Sequence, residues 1–475
     1  MKKLNIIIFT LLFFVFCLKG VSVDPDFGWH MRTGAYILAY GIPQTDPFSY
    51  SMPRYHFVDH EWLTDVLTVG LYPFMGGVGL AILAALFALF ALFLQVHRKD
   101  KLLFLPLLLS GAAFFPFIGF RPQVISWLFF SLLLFILRQK KYWAKTRFSL
   151  PLLFFLWANI HGSFILGLCI LVIFLFVAVL QTKKIAWGDS SIVIVCILVT
   201  LINPYGVGLW QEVFITLSRP EVHFIITEWL PLVLFAYIPL WLLVVLSGVV
   251  VFRYRNKYSL LEKILFLFLF ALGMGGVRNI PYWVIFSLPL TVRGFGYLHA
   301  EAGKEGGMRL MKALGILSMF ALGSIVVQNT FSFQRHIFPQ QAVKYLRAHM
   351  PVGNVFTDFN WGGYFLWQLP EKKVFVDGRM SSWRQASQQK NESMDAFREF
   401  YWVANRVESI DELSAKYAID TLVLSPVPFE DWQQQDIDLF AVNEKKKFPP
   451  IRQQLQSGGW KIVYQDQTTI IYQRK

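Results

Sequence analysis

The chain has 475 residues, of which 55% are hydrophobic and only 16% are charged, and its formal net charge is +14. This composition indicates a polytopic membrane protein with a less apolar part attached. The charge does not call for a nucleic-acid partner, because Lys and Arg concentrate in the short loops on one side of the predicted membrane. The three cysteines all lie in apolar runs, which excludes a disulfide framework and a zinc motif.

Along the chain, apolar runs of roughly twenty residues predict about eleven membrane-spanning helices. They are predicted at 4–23, 76–96, 102–120, 124–138, 149–160, 162–181, 190–203, 233–252, 259–277, 281–298 and 310–328. The fifth and sixth of them form a predicted hairpin that turns at WANIHGS, residues 157–163. Because basic loops remain in the cytoplasm, the N-terminus is predicted inside and the tail outside the membrane.

Two regions are predicted outside the membrane. The first outer loop, 24–75, contains two stretches, 27–40 and 60–72, that are typical of helices lying in the membrane interface. The tail has the pattern of a small α/β domain. Its strands are predicted at 354–359, 373–378, 421–426, 460–465 and 468–473, and its helices at 339–349 and 409–417. The predicted fold class is a polytopic α-helical membrane protein, with a transmembrane domain at 1–329 and a C-terminal soluble, extracytoplasmic α/β domain at 330–475.

The first outer loop opens with an acidic motif in VSVDPDFGWHMRTG, residues 21–34. Pro25 restricts the backbone of Asp24, and Gly28 permits a sharp turn, so Asp24 and Asp26 stand on a constrained backbone. This arrangement suggests a site. The alternative is that one of the two carboxylates caps a helix that begins near Phe27.

Further polar residues are predicted at the same outer side of the membrane. They are His30, Arg32, Asp59, His60, Glu61, Arg121, Asn159, His161, Glu228 and Arg278. The helix interiors carry almost no charge, which argues against a proton-coupled transporter or an ion channel. Carboxylates can bind a divalent metal or act as a general base, and arginines can bind a phosphate, so the set suits cleavage of a sugar from a lipid phosphate.

Each of these residues also has a structural interpretation. Arg121 and Arg278, near prolines at helix ends, would then only mark the membrane interface. The run from Asp59 to Glu61 would cap a helix and supply its acidic first turn. His161 would satisfy the backbone of the hairpin. The coincidence of all these residues on one side favours a site.

The DPD motif at 24–26, the long first loop with two interface helices and the soluble outer tail resemble the GT-C superfamily of integral-membrane glycosyltransferases. This superfamily includes oligosaccharyltransferase catalytic subunits, protein O-mannosyltransferases and aminoarabinose transferases. The strings DPDFGWHMRTG, GIPQTDPFSY, DHEWL, WANIHGS and NPYG are similar to those of bacterial membrane proteins placed in this superfamily. The tail lacks the WWD-like motif of oligosaccharyltransferases, so glycosylation of a protein sequon is not expected.

The resemblance implies transfer of a sugar from a polyprenyl-phosphate-linked donor to an envelope acceptor (a glycan, a lipid or a protein) on the outer face, with inversion. It assigns the family's catalytic base or metal-linked carboxylate to Asp24 or Asp26, and a second acidic group to Glu61 or Asp59. Metal dependence stays open, because some members need a divalent cation such as Mg²⁺ or Mn²⁺, here at Asp24 and Asp26, and others do not.

The full interpretation is therefore a glycosyltransferase. Asp24, Asp26 and Glu61 are its candidate catalytic residues, and the other outer polar residues bind the substrate. Arg121 and Arg278 would bind the lipid phosphate. The rival is a non-catalytic membrane protein, either a lipid-linked sugar flippase or a scaffold of envelope assembly. A flippase would need a polar path through the helices, and the near absence of charge in their interiors argues against it. A scaffold would tolerate the loss of Asp24 and Asp26.

Overall fold

The computed structural model describes residues 2–21, 24–96, 102–139, 141–219, 225–235, 237–332, 338–386, 391–426 and 447–474. Its helices are α1 (Lys2–Gly20), α2 (Phe27–Tyr40), α3 (Trp62–Phe93), α4 (Phe104–Phe114), α5 (Pro122–Arg138), α6 (Trp143–Thr146), α7 (Leu150–Ile160), α8 (Phe164–Thr182), α9 (Trp187–Val199), α10 (Gly208–Leu217), α11 (Ile238–Arg253), α12 (Leu260–Gly275), α13 (Ile280–Ser332), α14 (Gln340–Ala348), α15 (Phe359–Gln368), α16 (Ala396–Ala404), α17 (Ile410–Tyr417) and α18 (Ile451–Ser457). Its strands are β1 (Asn354–Thr357), β2 (Ile419–Leu424), β3 (Trp460–Gln465) and β4 (Ile470–Arg474).

The chain divides into two compact units. The first comprises Met1–Val23, Leu71–Trp210 and Thr227–Arg335, and the second comprises Asp24–Gly70, Gln211–Ile226 and His336–Lys475. Most of the first outer loop, which the sequence grouped with the membrane-spanning helices, thus belongs to the same unit as the tail.

The first unit consists of apolar helices. By length and composition, α3 and α8 could each cross a bilayer, and α1, α4, α5, α9 and α11 are shorter apolar helices. Two breaks occur at glycines with positive φ, Gly76 in α3 (φ 57°) and Gly303 in α13 (φ 67°). Other residues rarely adopt this conformation, which explains why the helices bend there. The predicted spans 281–298 and 310–328 thus lie within the segment Ile280–Ser332, on either side of the break at Gly303.

The second unit is built on a four-stranded sheet with the order β1-β2-β4-β3. β1 and β2 are parallel, and the other two pairs are antiparallel. Successive residues of a strand point to opposite faces of the sheet. Accordingly, Phe356 belongs to one buried cluster together with Met52 and Phe57, and Val355 belongs to another together with Trp29 and Phe48. Residues of the first outer loop therefore contribute to the core on both faces.

Helix α2 packs closely on α15 within this unit. A Cβ atom on Gly28 would lie only 2.1 Å from the carbonyl oxygen of Gly363. Glycine is therefore required at this position, and the close approach holds α2 with its acidic start against the tail.

One strand prediction for the tail is wrong. The stretch KVFVDG, 373–378, adds no strand to the sheet. Instead Val374 forms an isolated bridge to Ser49, with backbone hydrogen bonds to Phe48 and Tyr50. A 3₁₀ turn then starts at Gly378. The apolar pattern was identified correctly as buried backbone, but its partner lies more than 300 residues away in the first outer loop, so the sequence pattern could not reveal it.

Candidate functional site

The acidic motif forms a tight turn directly before α2. The carboxylate of Asp24 accepts a hydrogen bond from the backbone N–H of Asp26 at 2.9 Å. Within the described residues, the side chain of Asp26 makes no hydrogen bond that caps the helix. Asp26 lies beside Gly378, where a Cβ atom would approach Asp26 Oδ1 to 2.0 Å. The structure thus gives Asp24 a role in the turn and does not show Asp26 as a side-chain cap.

One turn further along α2, His30 lies among carboxylates. His30 Nδ1 is 2.6 Å from Asp65 Oδ1, and His30 Nε2 is 3.7 Å from Glu61 Oε2. All three side chains are buried, and the Trp29 ring packs against the imidazole with a centroid distance of 3.6 Å. The imidazole is therefore held in one orientation, with a carboxylate at each nitrogen.

Asp59 completes this cluster. It is buried, its carboxylate accepts the backbone N–H of Glu61 at 3.0 Å, and its side chain interacts with Asp65. Burial, and next the charge of Asp65, raise the pKa of Asp59 well above its usual range. Folding therefore takes up a proton at Asp59, and the contribution of this group to stability falls as the pH rises.

The remaining predicted residues of the loop are more exposed. His60 Nε2 lies 3.6 Å from Glu61 Oε1. Arg32 donates a hydrogen bond to the carbonyl oxygen of Pro370 at 3.0 Å, and its guanidinium lies 5.6 Å from the centroid of the Phe48 ring. His60 thus extends the carboxylate–imidazole cluster, whereas the contacts of Arg32 join the first loop to the tail.

The first unit holds a separate cationic cluster. Arg121, which immediately precedes α5, forms an ion pair with Glu228. Burial and then the positive charge of Arg278 lower the pKa of Arg121 to about 10, so the guanidinium keeps its proton at neutral pH. Arg278 stacks over the ring of Trp229 at 4.2 Å, and Lys19 lies within electrostatic range of Arg121. Lys19 and Arg278 thus add positive charge near Arg121, next to its pair with Glu228.

Asn159 and His161 are at the turn between α7 and α8, as the predicted hairpin requires. The Asn159 amide donates to the carbonyl oxygens of Phe155 and Ile202 at 2.8 and 2.9 Å. His161 Nδ1 accepts the backbone N–H of Ser163 at 3.1 Å, which places the proton of a neutral imidazole on Nε2. Both side chains therefore form hydrogen bonds with backbone groups.

Sequence reasoning overlooked two buried residues of the second unit as site residues, Asp65 and Arg379. Asp65 follows Glu61 by four residues, a helical spacing that could have identified it. Arg379 is paired with Asp46 at 2.9 Å and with Asp377 at 2.6 Å. Burial by itself would lower the pKa of Arg379, but the two carboxylates raise it above its usual value. The sequence offered no signal for the pair with Asp46, because 333 positions separate the two residues.

The described residues contain no group of three or more His, Cys, Asp or Glu side chains arranged to bind a metal ion. Asp24 and Asp26 alone supply two carboxylates, one of which is engaged in the turn. No metal-dependent step is derived from this arrangement, and dependence on Mg²⁺ or Mn²⁺ stays a prediction.

Two solved structures share the fold of this chain. ArnT from Cupriavidus metallidurans, in a crystal structure with bound undecaprenyl phosphate, aligns with a TM-score of 0.51 and 12% identity over 99% of this chain and 97% of its own. The apo oligosaccharyltransferase of Archaeoglobus fulgidus aligns with a TM-score of 0.52 and 11% identity over 88% of this chain and 69% of its own. The chain has a GT-C fold. No family model and no curated protein sequence matches it.

The GT-C fold confirms the resemblance that the DPD motif and the helix pattern indicated, and it confirms a polytopic helical membrane architecture. At 11–12% identity the likeness concerns the fold alone. The roles of the individual residues of this GT-C chain, and the number of its membrane crossings, stay predictions.

Proposed function

We propose that the chain is a glycosyltransferase that moves a sugar from a polyprenyl-phosphate-linked donor to an envelope acceptor, with inversion, on the outer face of a bacterial inner membrane. The observation that carries this proposal is the likeness, over 99% of the chain, to a transferase solved with undecaprenyl phosphate bound. In this arrangement the chain crosses the membrane about eleven times, with the N-terminus inside and the tail outside.

The two clusters supply the chemistry that this reaction needs. Asp24, Asp26 or Glu61 would accept the proton of the acceptor hydroxyl, which makes its oxygen a better nucleophile. Arg121 and Arg278 would bind the phosphate and stabilise the negative charge that develops on it as the sugar leaves. The positive charges of Arg278 and Lys19 near Arg121 support this assignment, because several cations in one place favour a phosphate.

The testing experiment measures transfer of radiolabelled sugar from a panel of polyprenyl-phosphate donors by the purified wild type. Arg121→Gln and Arg278→Gln are each expected to weaken binding of the donor by about tenfold or more, because each removes a charge-assisted hydrogen bond to phosphate. Affinity is measured with undecaprenyl phosphate in detergent micelles. The proposal is overturned if the wild type transfers sugar from none of the donors.

Arg253→Gln is the matched control, because Arg253 also forms an ion pair in the first unit, with Glu301, but half of its side chain is exposed. This variant is expected to bind undecaprenyl phosphate as the wild type does. Equal losses in all three arginine variants would indicate a general effect of charge and would remove the phosphate site from the proposal.

Glu228→Gln is expected to strengthen binding of undecaprenyl phosphate by a few-fold. Glu228 supplies the carboxylate of the cationic cluster, and its ion pair with Arg121 is weak because both side chains are partly exposed, at 35% and 25%. Removing its charge leaves Arg121 more available to a phosphate. Titration of the lipid against the variant measures the change.

Glu301→Gln, in the exposed pair with Arg253, is the control and is expected to leave the affinity unchanged. Weaker binding by Glu228→Gln would contradict the expectation, since it would mean that Glu228 orients Arg121 for the phosphate.

A further inference from the structure

Five ionisable side chains of the second unit form a row from the surface to the interior. They are His60, Glu61, His30, Asp65 and Asp59. The successive separations are 3.6 Å from His60 Nε2 to Glu61 Oε1, 3.7 Å from Glu61 Oε2 to His30 Nε2, and 2.6 Å from His30 Nδ1 to Asp65 Oδ1. The exposed fraction of the side chain is 35% at His60, 5% at Glu61, 7% at His30 and 0% at Asp65.

The buried end of the row needs one proton. If both aspartates were ionised, Asp59 Oδ2 and Asp65 Oδ2 would be buried without a hydrogen-bond partner among the described residues. A buried carboxylate oxygen without a hydrogen bond lowers the stability of the fold. If Asp59 is protonated, its hydroxyl can donate a hydrogen bond to Asp65, and both oxygens then have a partner. Asp65 can then accept one hydrogen bond from Asp59 and one from His30. Burial also raises the pKa of Asp65, and the hydrogen bond from Asp59 opposes that shift.

We infer that Asp65 is a positioning residue that holds His30 as the proton acceptor behind Glu61 during sugar transfer. This inference rests on the proposed function. Asp65 accepts the Nδ1–H of His30, which leaves the lone pair of Nε2 facing Glu61. Neither Asp65 nor a relay through His30 follows from the sequence motif, which marked His30 only as a residue that orients substrate.

Sugar transfer forms one bond and breaks another. The acceptor oxygen bonds to the anomeric carbon, the bond from that carbon to the phosphate oxygen breaks, and its electron pair leaves with the phosphate. The hydroxyl proton passes to the Glu61 carboxylate and from there to His30 Nε2, and Asp65 stabilises the imidazolium. The separation of 3.7 Å exceeds a hydrogen bond, so a rotation of Glu61 or one bridging water completes the path.

The charges around the pair leave Asp65 available to His30. The groups that face it are Asp59 and Glu61 from the segment before α3, His60 beyond Glu61, and Arg379 from the 3₁₀ turn Gly378–Ser382. Arg379 is held by two other carboxylates, at 2.9 and 2.6 Å. Among the described residues, the cation that can hydrogen-bond to Asp65 is therefore the imidazolium of His30 that forms during transfer.

The test compares the pH dependence of kcat for the wild type and Asp65→Asn. The variant is expected to lose about 100-fold in kcat with an unchanged KM for the donor, because His30 is no longer held in the tautomer that accepts a proton. Its pH profile should change shape relative to that of the wild type, because the proton acceptor behind Glu61 is altered. His30→Gln, which keeps a hydrogen bond to Asp65 but carries no titrating proton, should show the same loss.

Asp420→Asn is the matched control, because Asp420 is another carboxylate of this unit and accepts a backbone N–H, that of Gly353, at 2.6 Å. It is expected to keep the wild-type kcat and pH profile. Thermal unfolding of every variant shows whether a loss of activity only reflects loss of folded protein. An Asp65→Asn variant that folds and keeps both kcat and pH profile would overturn the inference.

Infrared spectroscopy tests the same arrangement without activity. The carbonyl band of a protonated carboxylic acid should be present in the wild type at neutral pH and should be reduced in Asp59→Asn, whose amide can still donate to Asp65 and preserve the fold. An unchanged band would contradict the arrangement. A wild type without transfer would overturn the proposed function and the relay together, whereas an active wild type with an active Asp65→Asn variant would overturn the relay alone.

Discussion

Asp24→Asn or Asp26→Asn is expected to reduce sugar transfer by at least about 100-fold, in whichever variant loses a carboxylate that takes part in proton transfer together with Glu61. Asparagine has nearly the same shape as aspartate but cannot accept a proton. In Asp24→Asn the side-chain oxygen can still accept the N–H of Asp26, so the turn before α2 should survive and only the charge is lost. Transfer from the best donor of the panel, at equal amounts of folded protein, measures the effect.

Asp395→Asn is the control for both variants. Asp395 caps α16, where its side chain accepts the N–H of Arg398, and asparagine is an equally good cap. This variant should transfer sugar at the wild-type rate. If the wild type is active and both motif variants match it, the DPD motif is a structural turn, and the base must be sought at Glu61.

Arg379→Met is expected to lower the free energy of unfolding by about 3–5 kcal/mol. The guanidinium is 2% exposed, and its two partners, Asp46 and Asp377, are fully buried. Removing Arg379 leaves two carboxylates buried without their counter-ion, and it also removes contacts with the rings of Phe48 and Trp383. Because these residues join the first loop to the tail, their loss should lower the unfolding temperature of the whole second unit.

Arg54→Met tests whether this effect depends on burial. Arg54 also pairs with a carboxylate, Glu392 at 2.8 Å, but 47% of its side chain is exposed. An exposed pair contributes about 0–1 kcal/mol, so this variant should unfold close to the wild-type temperature. Similar losses in the two variants would mean that the Arg379 pairs contribute no more than a surface pair.

Local sequence patterns were sufficient to predict those helices, turns and strands whose hydrogen-bond partners are near in sequence. The apolar runs led to helices such as α1, α5 and α8 within a few residues of their predicted ends, because a run of apolar residues closes its own backbone hydrogen bonds as a helix. The turn at 161–163 and the last two strands, β3 and β4, were also anticipated. Helices α6, α10, α15, α16 and α18 were missed, and each of them has ten residues or fewer.

The candidate site shows the same limit. The DPD motif and the helix pattern resembled those of GT-C proteins, whose fold the chain shares, and the candidate outer polar residues included His30, Asp59, Glu61, Arg121 and Arg278. The grouping of these residues was not available from the sequence. Glu228 reaches Arg121 across 107 positions, and Asp65 reaches His30 across 35. Such pairs form only when distant segments pack together. The charge of a side chain produces no periodic pattern in the sequence from which its partner could be predicted.

The sequence by itself therefore determined the class of the protein, its apolar helices and the acidic start of its first loop, since these follow from hydrophobicity and backbone restriction over short stretches. Only the tertiary structure decided that this loop shares a core with the tail, that residues 373–378 pair with it rather than with the sheet, and that Asp65 lies behind His30. Each of these three features depends on contacts between segments that lie far apart in the chain. The contacts are stabilised by burial of apolar surface, which no single segment can achieve alone.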